Sequence, residues 1–200
     1  MRNADCKAPH LVSPDQAIDA ARSRTARLIA IDGFPCSGKS TLASKFSAEL
    51  GFQVLPLDDF LLPISDWRSD ISPGFPFPFC RYEAFLTAVE SLARSGSCGY
   101  LPFDWEKMQL SDGHRVVHLD AAPVAVEGTS SLHPRLAPLY SLRLFVESRE
   151  TTVLTAVLSR DGHYFEAEWR NLWLPSVDIY MKTNPRARAD LLVQGRGIIE

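Results

Sequence analysis

Short apolar blocks alternate with helically spaced stripes along most of this 200-residue chain. Ser13-Pro14-Asp15-Gln16 has the form of a capping start with proline in the first turn, which predicts a helix over about 13–23. Arg27–Asp32 is an apolar run that ends at a glycine and predicts a buried strand. Lys39–Leu50 carries Leu42, Phe46 and Leu50 on one stripe before Gly51, the pattern of a helix with a glycine stop. Phe52–Leu57 is the next strand, and Tyr82–Ala93 an amphipathic helix halted at Ser95-Gly96-Ser97. Tyr100–Phe103 and Arg115–Leu119 read as two edge strands of a hairpin-like excursion. Pro123–Glu127 and Leu142–Val146 are buried strands with a short helix around Pro134–Tyr140 between them. Arg149–Arg160 and Val177–Lys182 read as helices, and Leu191–Val193 as a last strand. Such alternation predicts an α/β fold, a three-layer α/β/α sandwich around a mostly parallel sheet.

Three segments resist the alternation: Leu62–Cys80, Trp105–Asp112 and Asp161–Leu174. The first is punctuated by Pro63, Pro73, Pro76 and Pro78. Long loops in compact domains are usually functional or disordered. Here Trp67, Phe75, Phe77, Phe79, Trp105, Trp169 and Trp173 argue against disorder. These segments read as substrate-site material and, over about 160–174, as a lid.

Composition adds limits. With 46% hydrophobic and 22% charged residues the chain has an ordinary globular make-up, and no linker-like run divides it. One domain over 1–200 is expected. The net charge of −3 argues against broad nucleic-acid binding. No apolar run is long enough to span a bilayer, and Met1–His10 lacks the apolar stretch of a signal peptide. Cys6, Cys36, Cys80 and Cys98 form no C-x-x-C pair, so reduced thiols in the cytoplasm are expected rather than zinc or disulfides. Whether the chain forms a homo-oligomer is left open by the sequence.

Candidate chemistry begins at Gly33-Phe34-Pro35-Cys36-Ser37-Gly38-Lys39-Ser40, an ungapped G-x-x-x-x-G-K-[ST] followed by Thr41. The glycines permit close backbone approach, and successive N–H groups with the following helix N-terminus bind phosphate oxygens. Lys39 supplies a point charge for the β/γ-phosphates and Ser40 a hydroxyl for Mg²⁺. Chance alone produces such a match in 200 residues on the order of one per cent of the time. The predicted strand before it and helix after it are the context this P-loop requires. Cys36 reads as a small filler within the loop.

Asp58-Asp59-Phe60 follows the second strand, where open α/β sheets place ligand-binding residues. An acid there can take the proton of an acceptor hydroxyl or serve a metal ion, and the spacing does not separate Asp58 from Asp59. Pro123–Glu127 is an apolar strand ending in an acid, which would place Glu127 near Mg²⁺. Arg160 ends a helix at the start of the aromatic loop, and Arg170 lies within that loop. Either can close over a transferring phosphate, or simply serve a helix end or solvent. No N/T-K-x-D guanine-reading motif occurs. Mg-ATP-dependent phosphorylation of a small hydroxyl-bearing molecule fits best. A catalytically silent nucleotide sensor and a partner-driven ATPase are the rivals, and the pairing of an acid at 58 with one at 127 favours an enzyme.

With Gly33–Thr41, Leu57-Asp58-Asp59-Phe60, Tyr100–Glu106, Val124–Gly128, Ser159-Arg160-Asp161 and Arg188–Val193 in this order, the chain resembles the uridine kinase/phosphoribulokinase family of P-loop kinases. The resemblance covers about Leu28–Gly195. It implies Asp58 as base, Asp59 as its neighbour near the phosphates and metal, Glu127 as the magnesium acid and Arg160 as a lid arginine. It also puts Phe103 and Asp104 in the acceptor-facing segment, and Arg81 and Tyr82 near another substrate-contacting stretch. Asp59 and Leu61 replace a usual serine and tyrosine, and Lys107 stands where a histidine is usual. The acceptor is thereby left open among nucleosides such as uridine, pantothenate, glycerate and sugars.

Overall fold

In the computed structural model, which describes residues 9–67, 70–148 and 153–196, the alternation becomes a six-stranded, wholly parallel sheet. Its strands are β1 (His10–Val12), β2 (Leu28–Gly33), β3 (Gln53–Pro56), β8 (Val124–Glu127), β9 (Leu142–Glu147) and β10 (Leu191–Gln194). Between β3 and β8 lie two small antiparallel pairs. β4 (Ser97–Tyr100) joins β7 (Arg115–His118), and β5 (Phe103–Asp104) joins β6 (Gln109–Leu110). The order across the sheet is β1-β10-β9-β2-β8-β3, so β2 sits between two strands that come much later in the chain.

β2 is buried at every position because both faces are covered. Leu28 and Ala30 join one apolar cluster, with Val124, Val126 and α3 (Tyr82–Ser95). Ile29 and Ile31 join the other, with α1 (Pro14–Ser23) and α2 (Lys39–Leu50). This two-residue period fixes the register, since a slip by one would exchange the faces. Fully buried Phe46 on α2 and Phe85 on α3 anchor the two layers, each burial contributing about 1.5–3 kcal/mol.

Helix ends follow local chemistry. Ser13 and Gln16 form the reciprocal capping box expected from sequence. α2 spans the expected residues and stops at Gly51, whose φ of 70° a residue with a side chain rarely adopts.

Several expectations need correction. The edge strand His10–Val12 has no sequence pattern and exists because β10 offers it a parallel partner. The excursion's strands are shifted, with Ser97–Tyr100 against Arg115–His118, and Trp105–Asp112 contains β6. Pro134–Tyr140 contains only the 3₁₀ turn Ala137–Leu139. Arg149–Thr152 lies outside the described residues, and α4 is Val153–Asp161. Within Asp161–Leu174, where a loop was expected, only Gly162–Phe165 is a turn and the rest is helical. α5 (Glu166–Glu168) runs into a π-helical turn, Trp169–Trp173, and then into α6 (Leu174–Met181). Trp169, Trp173, Val177 and Tyr180 form its buried stripe, so tertiary packing holds the backbone in helical form. Among the described residues no helix is long and apolar enough to cross a membrane.

Candidate active site

The P-loop is shaped by close backbone approach at the end of β2. Gly33 has φ 147°, and a Cβ there would lie 2.5 Å from the Val146 carbonyl oxygen. Only glycine fits. Gly38, at φ 106°, opens α2, whose first turn has no side-chain cap. Its N–H groups are therefore left for an anion. Lys39 is buried and donates from Nζ to the Phe34 carbonyl at 2.7 Å, which curls the lysine back over its own loop.

Asp32, fully buried before Gly33, braces this cradle. One carboxylate oxygen accepts from Gly33 N at 2.6 Å and Ser130 N at 3.1 Å. The other accepts from Leu132 N at 2.7 Å and from the Tyr180 hydroxyl. Burial pushes Asp32 upward in pKa and these four donors oppose that rise. Sequence reading passed over Asp32, although an acid closing an apolar strand was the available sign.

Parallel pairing of Pro56 with Glu127 brings the ends of β3 and β8 together beside the P-loop. Gly128, at φ 145°, admits Leu57 so closely that a Cβ would lie 2.5 Å from that of Leu57. The 3₁₀ turn Leu57–Phe60 is thereby pressed against the Glu127 strand end. Ser40 donates from Oγ to Glu127 Oε1 at 3.4 Å. A hydroxyl and a carboxylate so placed fit Mg²⁺, which takes one or two protein oxygens and keeps phosphate and water for the rest.

These groups share one cleft of about 840 Å³. One wall carries Pro35, Cys36, Gly38, Lys39, Ser40 and Thr41, with Glu127 and Asp58 beside them. Arg160 faces the cleft from the end of α4. The remaining wall is mainly apolar, with Phe77, Phe79, Trp105, Phe165, Trp169 and Trp173. The aromatic segments thus reach the cleft, except that Trp67 packs behind, against Phe165 and Trp173, and Phe75 packs on Tyr82 and Tyr180. Gly33 and Ser37 shape the loop from beneath rather than lining the cleft.

Other expected residues are placed elsewhere. Asp59 accepts from the Tyr100 hydroxyl at 2.9 Å and pairs with Arg115 at 3.0 Å, away from Ser40 and Glu127. Arg81 donates to the carbonyls of Leu61, Asp59 and Leu101, a brace that holds the 57–61 turn. Tyr82 is buried, with its hydroxyl on Ser130 at 2.8 Å. Phe103 is buried against Trp105, and Asp104 caps its own turn through Glu106 N and Lys107 N. Arg170 is exposed and paired with Glu166. Arg196, unforeseen, lines the cleft because its backbone N–H bonds the Ser37 carbonyl at 2.9 Å. Thr129 also lines it and donates to the Gly33 carbonyl at 2.9 Å.

Burial raises Glu127 to about 7; the Lys39 charge and the Ser40 hydrogen bond oppose this, and the Asp58 charge adds to it. An acid whose folded pKa lies above its ordinary 4.5 binds its proton more tightly when folded. Its contribution is full below about pH 4.5 and lost as pH rises through about 7. In EDTA, wild type should therefore lose up to roughly 3 kcal/mol relative to Glu127→Gln across that window. Thermal melts read this as a difference of about 5–10 °C. A gap between the two proteins that does not change with pH would contradict the burial argument.

No family model matches the sequence. Solved structures do match in fold. A proposed fructose transport system kinase from Silicibacter sp. TM1040 superposes with a TM-score of 0.67 at 20% identity, over 90% of this chain and 98% of that one. A structure named as a possible uridine kinase from Bacillus stearothermophilus superposes at 0.66 and 18% identity, over 90% and 98%. The chain shares the fold of these two structures.

Proposed function

We propose that this chain, built on the P-loop kinase fold, transfers the terminal phosphate of ATP to a hydroxyl of a small molecule. The carrying observation is that Lys39, Ser40, Glu127 and Asp58 meet on one cleft whose far wall is aromatic. The uncapped first turn of α2 and Lys39 bind the phosphates. Ser40 and Glu127 would hold Mg²⁺, which supplies charge neutralisation for the phosphate oxygens. Asp58 takes the proton of the acceptor hydroxyl as its oxygen bonds to the γ-phosphorus. The bond from that phosphorus to the β–γ bridging oxygen breaks, and ADP leaves. Arg160 stabilises charge on the transferring group, and the segment from Arg160 to Trp173 shields it from water. Catalysis is then mainly positioning and electrostatics.

A silent nucleotide sensor would need the P-loop but gains nothing from an acid at 58 turned into the cleft. The chain is read as acting in the cytoplasm, where thiols such as Cys80 and Cys98 stay reduced. The test is coupled ADP release with Mg-ATP against nucleosides, pantothenate, glycerate, simple sugars and aromatic alcohols. At least one acceptor should raise the rate about tenfold or more above the water-only background. ATP binding without stimulation by any acceptor would favour the sensor.

A further inference from the structure

The cleft wall beyond Asp58 narrows the acceptor, an argument that rests on the phosphotransfer reading above. That wall is a continuous aromatic surface. Phe77 and Phe79 stack with centroids 5.2 Å apart and planes 12° from parallel. Phe79 meets Trp173 at 6.1 Å, and Trp173 meets Trp169 at 4.6 Å. Each of these four rings is at most 8% exposed, so neighbours hold its orientation before any ligand arrives. A flat ring docking there would gain offset or edge contacts at little entropic cost.

The charged groups lining the cleft are Lys39, Asp58, Glu127, Arg160 and Arg196, among the described residues. The Lys39 ammonium bonds Phe34 O, and the backbone N–H of Arg196 bonds Ser37 O, which seats that residue beside the P-loop. Arg160 is assigned to the transferring phosphate. Groups that could read a diol or a carboxylate are committed elsewhere: Asp59 to Tyr100 and Arg115, Arg81 to backbone carbonyls, Asp104 to its turn. A sugar, a hydroxy acid or a ribose would lay polar groups on rings that cannot pair with them, and each such group costs desolvation. Trp173, a lining residue, also holds a buried Nε1–H without a partner, and pairing it with the acceptor atom of a heteroaromatic ring would recover the cost of leaving it unpaired.

We propose that the acceptor is a neutral heteroaromatic alcohol, a ring bearing a hydroxymethyl-type group, stacked on the Phe77–Phe79–Trp173–Trp169 wall with its hydroxyl at Asp58. The hydroxyl oxygen gains the phosphoryl group and its proton passes to Asp58, so no further reactant is needed.

The test uses the full chain with Mg-ATP and compares 3-pyridinemethanol and benzyl alcohol with uridine, ribose and glycerate in coupled ADP release. Binding is read separately, without nucleotide, from quenching of tryptophan fluorescence by 3-pyridinemethanol. The pyridine alcohol should exceed uridine in kcat/KM by about tenfold or more. Phe79→Leu should raise its KM about tenfold, with kcat within about twofold and the KM for ATP unchanged. Trp105→Ala, at a 48%-exposed position on the same wall, repeats the measurement with a variant whose folding is not at issue. Faster turnover of uridine, ribose or glycerate overturns this assignment and leaves phosphotransfer standing. Fluorescence quenching that Phe79→Leu abolishes, with no acceptor raising ADP release, overturns phosphotransfer and the assignment with it.

Discussion

Asp58→Asn should lower kcat by about 10²–10⁴ while leaving the KM for ATP within about twofold. The asparagine keeps the size of the side chain and loses the negative charge and, with it, the ability to take a proton. Asp58 is exposed on the cleft, so its melting temperature should stay close to that of wild type. The neighbouring variant makes the result decisive. Asp59→Asn weakens the pair with Arg115 at a side chain only 14% exposed. It should cost some stability and less than about tenfold in kcat, because Asp59 points away from the cleft. Steady-state kinetics on both variants, with melts alongside, separate the roles. A larger kcat loss in Asp59→Asn would transfer the role of base to Asp59.

Lys39→Ala should reduce acceptor-dependent ADP release by about 10³-fold or more, since one preorganised donor at a developing charge is worth about 10²–10³ and this one also carries a full charge. The fold should survive, with a melting temperature within a few degrees of wild type. Lys39 gives its loop a single side-chain bond, to Phe34 O, and its removal also relieves the cost of a buried ammonium. Turnover within about tenfold of wild type would remove Lys39 from the phosphate site.

What the sequence made legible was the local chemistry. In the P-loop the residue types follow one another without a gap, so Gly33, Gly38, Lys39 and Ser40 could be read as a motif, although it is Val146 O that requires glycine at 33 and Glu127 that receives Ser40. The same holds for the capping box at Ser13 and the stop at Gly51. Asp58 and Asp59 are different. Both sit in one 3₁₀ turn, and which faces the cleft is decided by Tyr100 and Arg115, 41 and 56 residues away. No pattern within the turn records that choice. Arg81, Tyr82 and Asp104 were placed by resemblance and serve as brace, core and cap, because backbone carbonyls claim Arg81, the Ser130 hydroxyl claims Tyr82, and the N–H groups of its own turn claim Asp104. For Asp161–Leu174 a sign did exist. Trp169, Trp173 and Val177 follow a four-residue step, and Pro175 sits in the first turn of α6, where proline is tolerated.

The carboxylate of Asp32 gathers donors that lie 98, 100 and 148 residues further along the chain. The strand that carries it pairs only with β8 and β9, which are also late. During synthesis the whole P-loop sequence therefore emerges long before anything exists to shape it. The cradle is assembled from its far end backwards, once Tyr180 has been made. Contacts this distant in sequence slow folding and lengthen the time that β2, apolar on both faces, waits unpaired. Nascent chains halted between Ser131 and Tyr180 should thus be the ones that need chaperones most, and they should not yet bind nucleotide.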